Sequence, residues 1–348
     1  MHVLVTGCGG FLGRWIVRQL LARGDRVRGL ARGDYPQLQQ AGVELIRGDI
    51  TDAESVISAC RGVDAVIHCA AVAGVWGPWS HYHDINTRGT QHVIDGCRAA
   101  GVPILVHCSS PSVTFDGGDQ SGIDESAPYP TKHLCHYSHT KALAEQAVLA
   151  AHRDGVLHTA ALRPHLIWGA DDPHLFPRLI DRARRGRLAV VGSGENMIDT
   201  VHVENAAAAH VAALDHLQQA SPSGGGRAFF ITQDQPVRCW DWIARVLQIA
   251  GVQPPRRQVS LATAWRIGAT LETVYRVARI RSEPPMTRFV AAQLARDHYF
   301  DITAAKTVLD YRPSISIDAG LEQIAAAWGE GGSVSTASQS GRGAESRS

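Results

Sequence analysis

Tyr137 and Lys141 stand four residues apart in the segment HYSHTKALAEQ. Lysine is scarce here: of 34 basic residues only Lys132, Lys141 and Lys306 are lysines, the rest being arginine. Ala142, Leu143, Ala144, Glu145 and Gln146 are good helix formers, so the pair is expected on one face of a helix. An ammonium beside a phenol favours the phenolate, which should draw the tyrosine pKa below its reference of about 10. The chemistry implied is proton donation and acceptance near neutral pH. The alternative is a solvated helix face.

A second constellation follows the strand-like HVLVT at the N-terminus. In Thr6-Gly7-Cys8-Gly9-Gly10-Phe11-Leu12-Gly13 the spacing Gly-x-Gly-x-x-Gly fails, because Leu12 holds the third position counted from Gly7. The spacing that works is Gly7-x-x-Gly10-x-x-Gly13. Glycines there allow a tight turn and close backbone approach to a pyrophosphate at a helix N-terminus, where amides and dipole favour anions. Gly7, Gly10, Phe11, Leu12 and Gly13 are therefore the expected loop contacts of a dinucleotide. The second strand ends in VRGLARGD, with Ala31 and Arg32 where a carboxylate would meet the ribose of NAD. Arg32, with Arg28 upstream, favours a 2′-phosphate and hence NADP, with NAD as the alternative. Asp49, followed by Ile50, closes the third strand and is placed to meet the adenine edge. Its other reading is a helix N-terminal aspartate, a role that Thr51 or Asp52 could fill.

These residues need a scaffold that gathers strand ends. HVLVT, DRVRGL, VELIRGD, DAVIHCA, PILVHCS and HTAALRP read as strands, alternating with helical FLGRWIVRQLLARG, DAESVISACRG, NTRGTQHVIDGCRAAG and HYSHTKALAEQAVLAAHR. Such alternation predicts an α/β fold: a Rossmann-type, doubly wound parallel sheet whose ligand lies beyond the carboxyl ends of the strands. Beyond about residue 170 the pattern loosens. LFPRLIDRARRG and VENAAAAHVAALDHL read as helices, LAVVG and RAFFIT as strands, and residues 238–330 as mainly helical. The expected organisation is a dinucleotide-binding domain over 1–170, a smaller C-terminal substrate lobe over 171–330 with chain crossings, and a disordered, low-complexity tail over 331–348.

The 348 residues are 45% hydrophobic and 19% charged, as in an ordinary globular protein, and the net charge of +1 comes from scattered arginines. No nucleic-acid partner is expected. The seven cysteines contain no Cys-x-x-Cys, and reduced buried thiols are expected. No metal-ligand spacing stands out among the histidines. The chain passes from Met1 straight into a strand and has no run of about 18 apolar residues, so neither signal peptide nor spanning helix is expected, and the compartment expected is the cytoplasm. The stretch SLATAWRIGATLETVYRVARI, broken by Arg266, Glu272, Arg276 and Arg279, reads as a domain helix or substrate lid ahead of an interfacial helix.

TGCGGFLG, the Asp49 turn, HCAA (68–71), NTRGT (86–90), CSSPSV (108–113), YSHTK and LRPHLIWG (162–169) together resemble the extended short-chain dehydrogenase/reductase family, in the family's order over most of the chain. The second half resembles its 3β-hydroxysteroid dehydrogenase-like branch, which also holds sterol-4-carboxylate dehydrogenases. GVWGPWSHYHDINTRGT and FDGGDQSGIDES are most similar to the 2-alkyl-3-oxoalkanoate reductases of bacterial olefin synthesis. The resemblance implies an NAD(P)-dependent oxidoreductase interconverting a 3-keto and a 3-hydroxy group on a small hydrophobic substrate. Ser110, Tyr137 and Lys141 would be catalytic, with Ser109 and Ser112 competing for the serine's place. Tyr137 and Lys141 would also contact the cofactor, Lys141 holding the nicotinamide ribose. Ala70 and Ala71 would let the cofactor lie against the strand, and Pro164 to Ile167 would flank the nicotinamide. Asn86 would be structural and water-organising, and His202 and Glu204 would pack the lobes. Trp76, Trp79, Trp168 and Phe176 are candidates for an apolar pocket, and His81, His83, His133, His136, His139 and His165 for a substrate carboxylate. Sugar-nucleotide epimerases share the fold and triad, and a non-catalytic dinucleotide sensor is the reading from another class. Relatives pair through the helices around NTRGTQHVIDGCRAA and HYSHTKALAEQAVLAA, which makes a homodimer the expected assembly.

Overall fold

Seven strands lie parallel in one sheet, in the spatial order Arg227–Ile231, His158–Pro164, Ile104–Cys108, Ala65–His68, His2–Thr6, Arg26–Ala31, Glu44–Arg47. The computed structural model describes residues 1–153, 155–219 and 225–329; the expected tail over 331–348 and most of SPSGGG lie outside them. His2–Thr6 and Ile104–Val106 are almost wholly buried runs of apolar and β-branched residues, as strands covered on both faces must be. From His2–Thr6 the chain first builds outward to one edge, then crosses to build toward the other. The strand order therefore reverses between His2–Thr6 and Ala65–His68, and a crevice opens there at the carboxyl ends.

Helices cover both faces. Helix Phe11–Ala22 buries Leu12, Gly13, Ile16, Val17 and Leu20, a stripe of helical period, and packs with Val203–Leu217 on one side. Ala53–Cys60, Gly89–Ala100 and His136–Ala150 cover the other. The segment before Gly89 is one continuous rod with a wide turn: Trp79–Tyr82 is α-helical and His83–Arg88 is π-helical. Such bulges re-aim side chains. Here the residue inside the bulge is Asn86, whose side chain accepts from Val72 N (2.8 Å) and donates to Val72 O (3.0 Å) and Thr140 Oγ1 (3.2 Å).

The chain crosses the expected boundary near residue 170 in both directions. Strand Arg227–Ile231 returns to the edge of the large sheet beside His158–Pro164. Gln120–Ile123 leaves the first half to join a four-stranded sheet with Val237–Arg238, Met197–Ile198 and His298–Phe300. Asp297 and Asp119 stitch that small sheet together, Asp297 accepting from Met197 N and Ser121 Oγ, and Asp119 from Asp297 N and Arg296. Trp168 and Phe176, expected at a pocket, are fully buried instead, forming a second core with Trp242 and Ile243. Gly320 sits against the Trp168 ring, where an added Cβ would come within 2.6 Å. A large aromatic on a strand only two residues long is held by packing, so this pair belongs to the core.

Helix Leu261–Val277 packs on helix Arg288–Gln293. Gly268 lets it approach the Thr287 backbone, which a Cβ would meet at 2.7 Å. Glu272 accepts from Arg288 N at 2.7 Å and from its guanidinium at 2.6 and 2.9 Å. Tyr275 and Arg276 face a cavity, while Ile267, Val274 and Val277 are exposed. No described helix is long and apolar enough to cross a membrane.

Candidate active site

The glycine loop is shaped by close approach. Gly7 has φ +70, and a Cβ on it would meet Ala70 N at 2.8 Å; a Cβ on Gly13 would meet Gly7 O at 2.2 Å. Gly10 N donates to Gly7 O at 2.9 Å, and Gly10 is the N-cap of helix Phe11–Ala22 with no side chain capping it and no acidic residue in the first turn. The helix therefore presents free amides and the positive end of its dipole to the crevice. Gly7, Gly10, Arg32, Asp49, Ile50, Ala70 and Ala71 line one cavity of about 150 Å³ there. Phe11, Leu12 and Gly13 do not line it. Leu12 is core, Gly13 makes room for the loop, and the Phe11 ring faces Gly169. Tyr35 was not anticipated: its ring lies flat against Gly9, where a Cβ would collide at 2.1 Å. The only sequence signal was an aromatic in a polar loop one turn after Arg32.

At the adenosine end Arg32 is 74% exposed and 4.0 Å from Asp49. Asp49 accepts from Thr51 N and Oγ1, while Asp52 caps the following helix, so Asp49 is left at the cavity rim. Arg28 does not take part. Its guanidinium pairs with Glu44 at 2.9 Å and donates to the carbonyls of Ala59 and Arg61.

Helix His136–Ala150 carries Tyr137 and Lys141 at the other end. It is fastened to the sheet by a buried ion pair: Arg163, on the strand His158–Pro164, donates to Glu145 at 2.7, 3.1 and 3.2 Å, and Tyr129 Oη donates to Glu145 at 2.7 Å. Neither partner of the pair is more than 2% exposed. Sequence reasoning assigned neither residue a role in the site, Glu145 being read only as a helix former, although each sits inside a quoted motif.

Ser110, the N-cap of the short helix Pro111–Thr114, is near enough to the Tyr137 phenol to act to lower its pKa, and its Oγ lies 2.9 Å from Ser112 Oγ. Ser109 is buried, and its hydroxyl has no partner. Of the three competing serines the structure thus brings Ser110 to the tyrosine. Lys141 is buried and donates to Cys108 O at 2.5 Å and to His107 Nε2 at 3.2 Å. His107 is then the tautomer protonated at Nδ1. Burial pushes the Lys141 pKa down and, with Cys108 next in effect, pushes the Tyr137 phenol up, against the lowering by Ser110. The expected lowering of the phenol pKa by the lysine is therefore corrected. Lys141 is turned to the strand end, and desolvation of the phenol dominates.

Two cavities share Val75, and Cys135 and His136, directly before Tyr137, line one of them. One of about 590 Å³ is lined by Val75, Trp76, His133, His136, Tyr275 and Arg276. The other, about 320 Å³ and mostly apolar, is lined by Val75, Leu166, Leu179, Trp242, Phe289 and Leu294. Pro164 ends its strand opposite Ile231, Ile167 pairs with Val201, and between them Leu166 holds φ +44, a strained conformation for a non-glycine residue. His165 does not reach a cavity; it is buried against His298 at 2.6 Å. Trp79 is 37% exposed and stacks on His83, outside both cavities. His202 caps helix Val203–Leu217 and touches Trp168, in keeping with a packing role.

Comparison with known proteins agrees with this architecture. Residues 4–262 match the 3-beta hydroxysteroid dehydrogenase/isomerase family. The chain is 45% identical to a 2-alkyl-3-oxoalkanoate reductase of Shewanella oneidensis over 93% of its length and 86% of that protein's. It is 36% identical to a mouse (Mus musculus) sterol-4-alpha-carboxylate 3-dehydrogenase, decarboxylating, over 92% of its length and 88% of that protein's. Among solved structures it superposes on a dTDP-glucose 4,6-dehydratase double mutant from Streptomyces venezuelae with NAD bound, at TM-score 0.73 and 25% identity, covering 95% of this chain and 97% of that one. With a glycine-cradled crevice at the strand-order reversal and matches of this extent, the chain belongs to the 3β-hydroxysteroid dehydrogenase-like branch of the extended short-chain dehydrogenases/reductases and is an oxidoreductase.

Proposed function

We propose that the protein interconverts a ketone and a secondary alcohol on a hydrophobic β-oxygenated carboxylic acid, as an NADP(H)-dependent 2-alkyl-3-oxoalkanoate reductase. The feature that supports the reading is the Tyr137 phenol, whose pKa Ser110 acts to lower, on a helix whose first residue, His136, lines the larger of the two cavities. The crevice fits a nicotinamide dinucleotide because its glycines leave space that side chains would fill and its helix N-terminus is free for a pyrophosphate. The bound dinucleotide supplies or accepts the hydride. Gly7 and Gly10 with the first turn of helix Phe11–Ala22 would hold its phosphates, Ala70 and Ala71 its face, and Lys141 its ribose. Arg32 would grip a 2′-phosphate, the basis for preferring NADP over NAD. In the reductive direction Tyr137, kept protonated by burial, gives its proton to the carbonyl oxygen as negative charge develops there. Ser110 donates a hydrogen bond to the same oxygen.

The two named relatives suggest the substrate. A 2-alkyl-3-oxoalkanoate and a sterol 4-carboxylate with oxygen at C3 have different skeletons but one shared group, an oxygenated carbon next to the carbon that bears a carboxylate. The larger cavity has a cation for that carboxylate in Arg276. His133, pushed down to about 4 by burial, and His136, also lowered, are neutral at pH 7. The apolar cavity has the lining for an alkyl chain. Cofactor reduction measured with 2-alkyl-3-hydroxy acids, 4-carboxysterols, 3β-hydroxysteroids and nucleotide sugars, each with NAD and NADP, tests the proposal. Turnover is expected for the 2-alkyl-3-hydroxy acids with NADP. Turnover confined to carboxysterols would replace the substrate, and turnover confined to nucleotide sugars would remove the β-oxygenated acid altogether.

A further inference from the structure

Cys69, Cys108 and His210 converge beneath the crevice, and no step above uses them. Cys69 follows the strand Ala65–His68 and Cys108 ends Ile104–Cys108. These strands are parallel neighbours in which His68 is level with His107, so the two cysteines are the next level pair. His210 comes from helix Val203–Leu217, which packs on both strands. The two sulfurs and the imidazole nitrogen all lie within 4.8 Å of one another.

The histidine is set up as a ligand. It is fully buried, and its Nδ1 is 2.7 Å from Ala206 O, so Nδ1 carries the hydrogen and Nε2 keeps its lone pair. Nε2 is buried and has no partner other than the facing sulfurs. A backbone carbonyl on the far ring nitrogen is the arrangement that fixes tautomer and ring orientation in metal-bound histidines. Two thiolates and an imidazole select a thiophilic cation over magnesium or calcium. In a tetrahedral site with Zn–S near 2.3 Å, ligand atoms stand about 3.5–3.8 Å apart. The trio therefore has about 1 Å to close, which small side-chain rotations can supply. His210 closes the site from below, while Cys69 and Cys108 are only half-buried, so the fourth position opens toward the crevice. Cys60 and Cys97 form an internal contrast: they also hydrogen-bond each other, but wholly buried on the opposite face of the sheet, between helices Ala53–Cys60 and Gly89–Ala100.

We propose that Cys69, Cys108 and His210 bind one thiophilic divalent cation of the zinc class at the floor of the crevice. The site adjoins the cofactor machinery, because the Cys108 carbonyl anchors Lys141 and Ala70 follows Cys69.

Two measurements on the reduced full-length protein test it. Titration with Co²⁺ should give one equivalent showing the visible bands of a tetrahedral thiolate complex and reversed by Zn²⁺. The spectrum should be lost in Cys69→Ser and Cys108→Ser, weakened at least tenfold in His210→Gln, and retained in Cys60→Ser/Cys97→Ser. Alkylation of the wild-type protein read by peptide mass spectrometry needs no variant: one equivalent of Zn²⁺ should protect Cys69 and Cys108 and leave the other cysteines unchanged. Absence of a tetrahedral Co²⁺ spectrum, its survival in a folded Cys69→Ser/Cys108→Ser variant, or zinc protection centred on other cysteines overturns the proposal.

Discussion

Replacing Tyr137 by phenylalanine removes one oxygen from a place where the structure shows what remains. Ser110 keeps Ser112 Oγ at 2.9 Å, and Lys141 keeps Cys108 O and His107 Nε2, so no buried polar group is stranded. Removing a hydroxyl without leaving such an orphan costs about 1 kcal/mol of stability or less. Because Lys141 is anchored on the strand end and not on the phenol, dinucleotide affinity should stay within about twofold. The chemical step should suffer far more. Losing a positioned general acid typically costs about 10²–10⁴ in rate, or about 3–5 kcal/mol of barrier. Steady-state oxidation of a 2-alkyl-3-hydroxy acid, followed by nicotinamide absorbance, with dinucleotide binding measured separately by calorimetry, resolves the two effects.

The pH profile adds a sign. Burial, more than any neighbour, raises the Tyr137 pKa above its ordinary value, so the phenol is protonated throughout the neutral range. Reduction consumes that proton and should be flat through neutrality, falling only once the phenol ionises. Alcohol oxidation needs the phenolate and should climb by about tenfold per pH unit from neutral into alkaline solution. A Tyr137→Phe enzyme within tenfold of wild-type turnover, or an oxidation rate level across that range, would refute the assignment of the phenol as proton carrier.

Three further substitutions probe the rest of the site. Ser110→Ala should lower turnover by about 10²-fold through loss of a hydrogen bond to the developing alkoxide, whereas Ser109→Ala, whose hydroxyl has no partner, should leave turnover within twofold; steady-state kinetics on both separates the serines. Arg32→Ala should weaken NADP binding about 5–30-fold, a modest effect because the side chain is 74% exposed and Asp49 lies 4.0 Å away, and should leave NAD binding within twofold by fluorescence titration. Equal losses for both dinucleotides would remove the 2′-phosphate role. Glu145→Gln strands a buried guanidinium and should cost about 3–5 kcal/mol in urea unfolding, with partial recovery in Glu145→Leu/Arg163→Met.

What could be read from the sequence divides by the range of the interactions involved. The glycine loop was legible because part of its constraint is local: Gly13 must clear the Gly7 carbonyl six residues back, an approach that spacing encodes, whereas Gly7 itself must clear Ala70 on a distant segment. Tyr137 and Lys141 were legible as helix neighbours for the same reason. What Lys141 touches was not, because His107 and Cys108 arrive on another strand and nothing around residue 141 encodes that strand's depth. The pKa expectation failed on this point: proximity along a helix says that a cation is near, while the sign of the shift is set by how much protein covers the phenol. The small sheet escaped notice because Met197–Ile198 and Val237–Arg238 are too short to show alternation, and aspartates distant in sequence hold it together. Trp168 and Phe176 were misplaced because an aromatic near an active-site motif reads the same whether it faces a cavity or a second core. The cluster at Cys69, Cys108 and His210 is the extreme case, since each residue looks like an ordinary apolar-run cysteine or helix histidine until a parallel register sets them level. Motif spacing locates the parts of a site that one element carries, and only the packing of elements reveals the parts that several share.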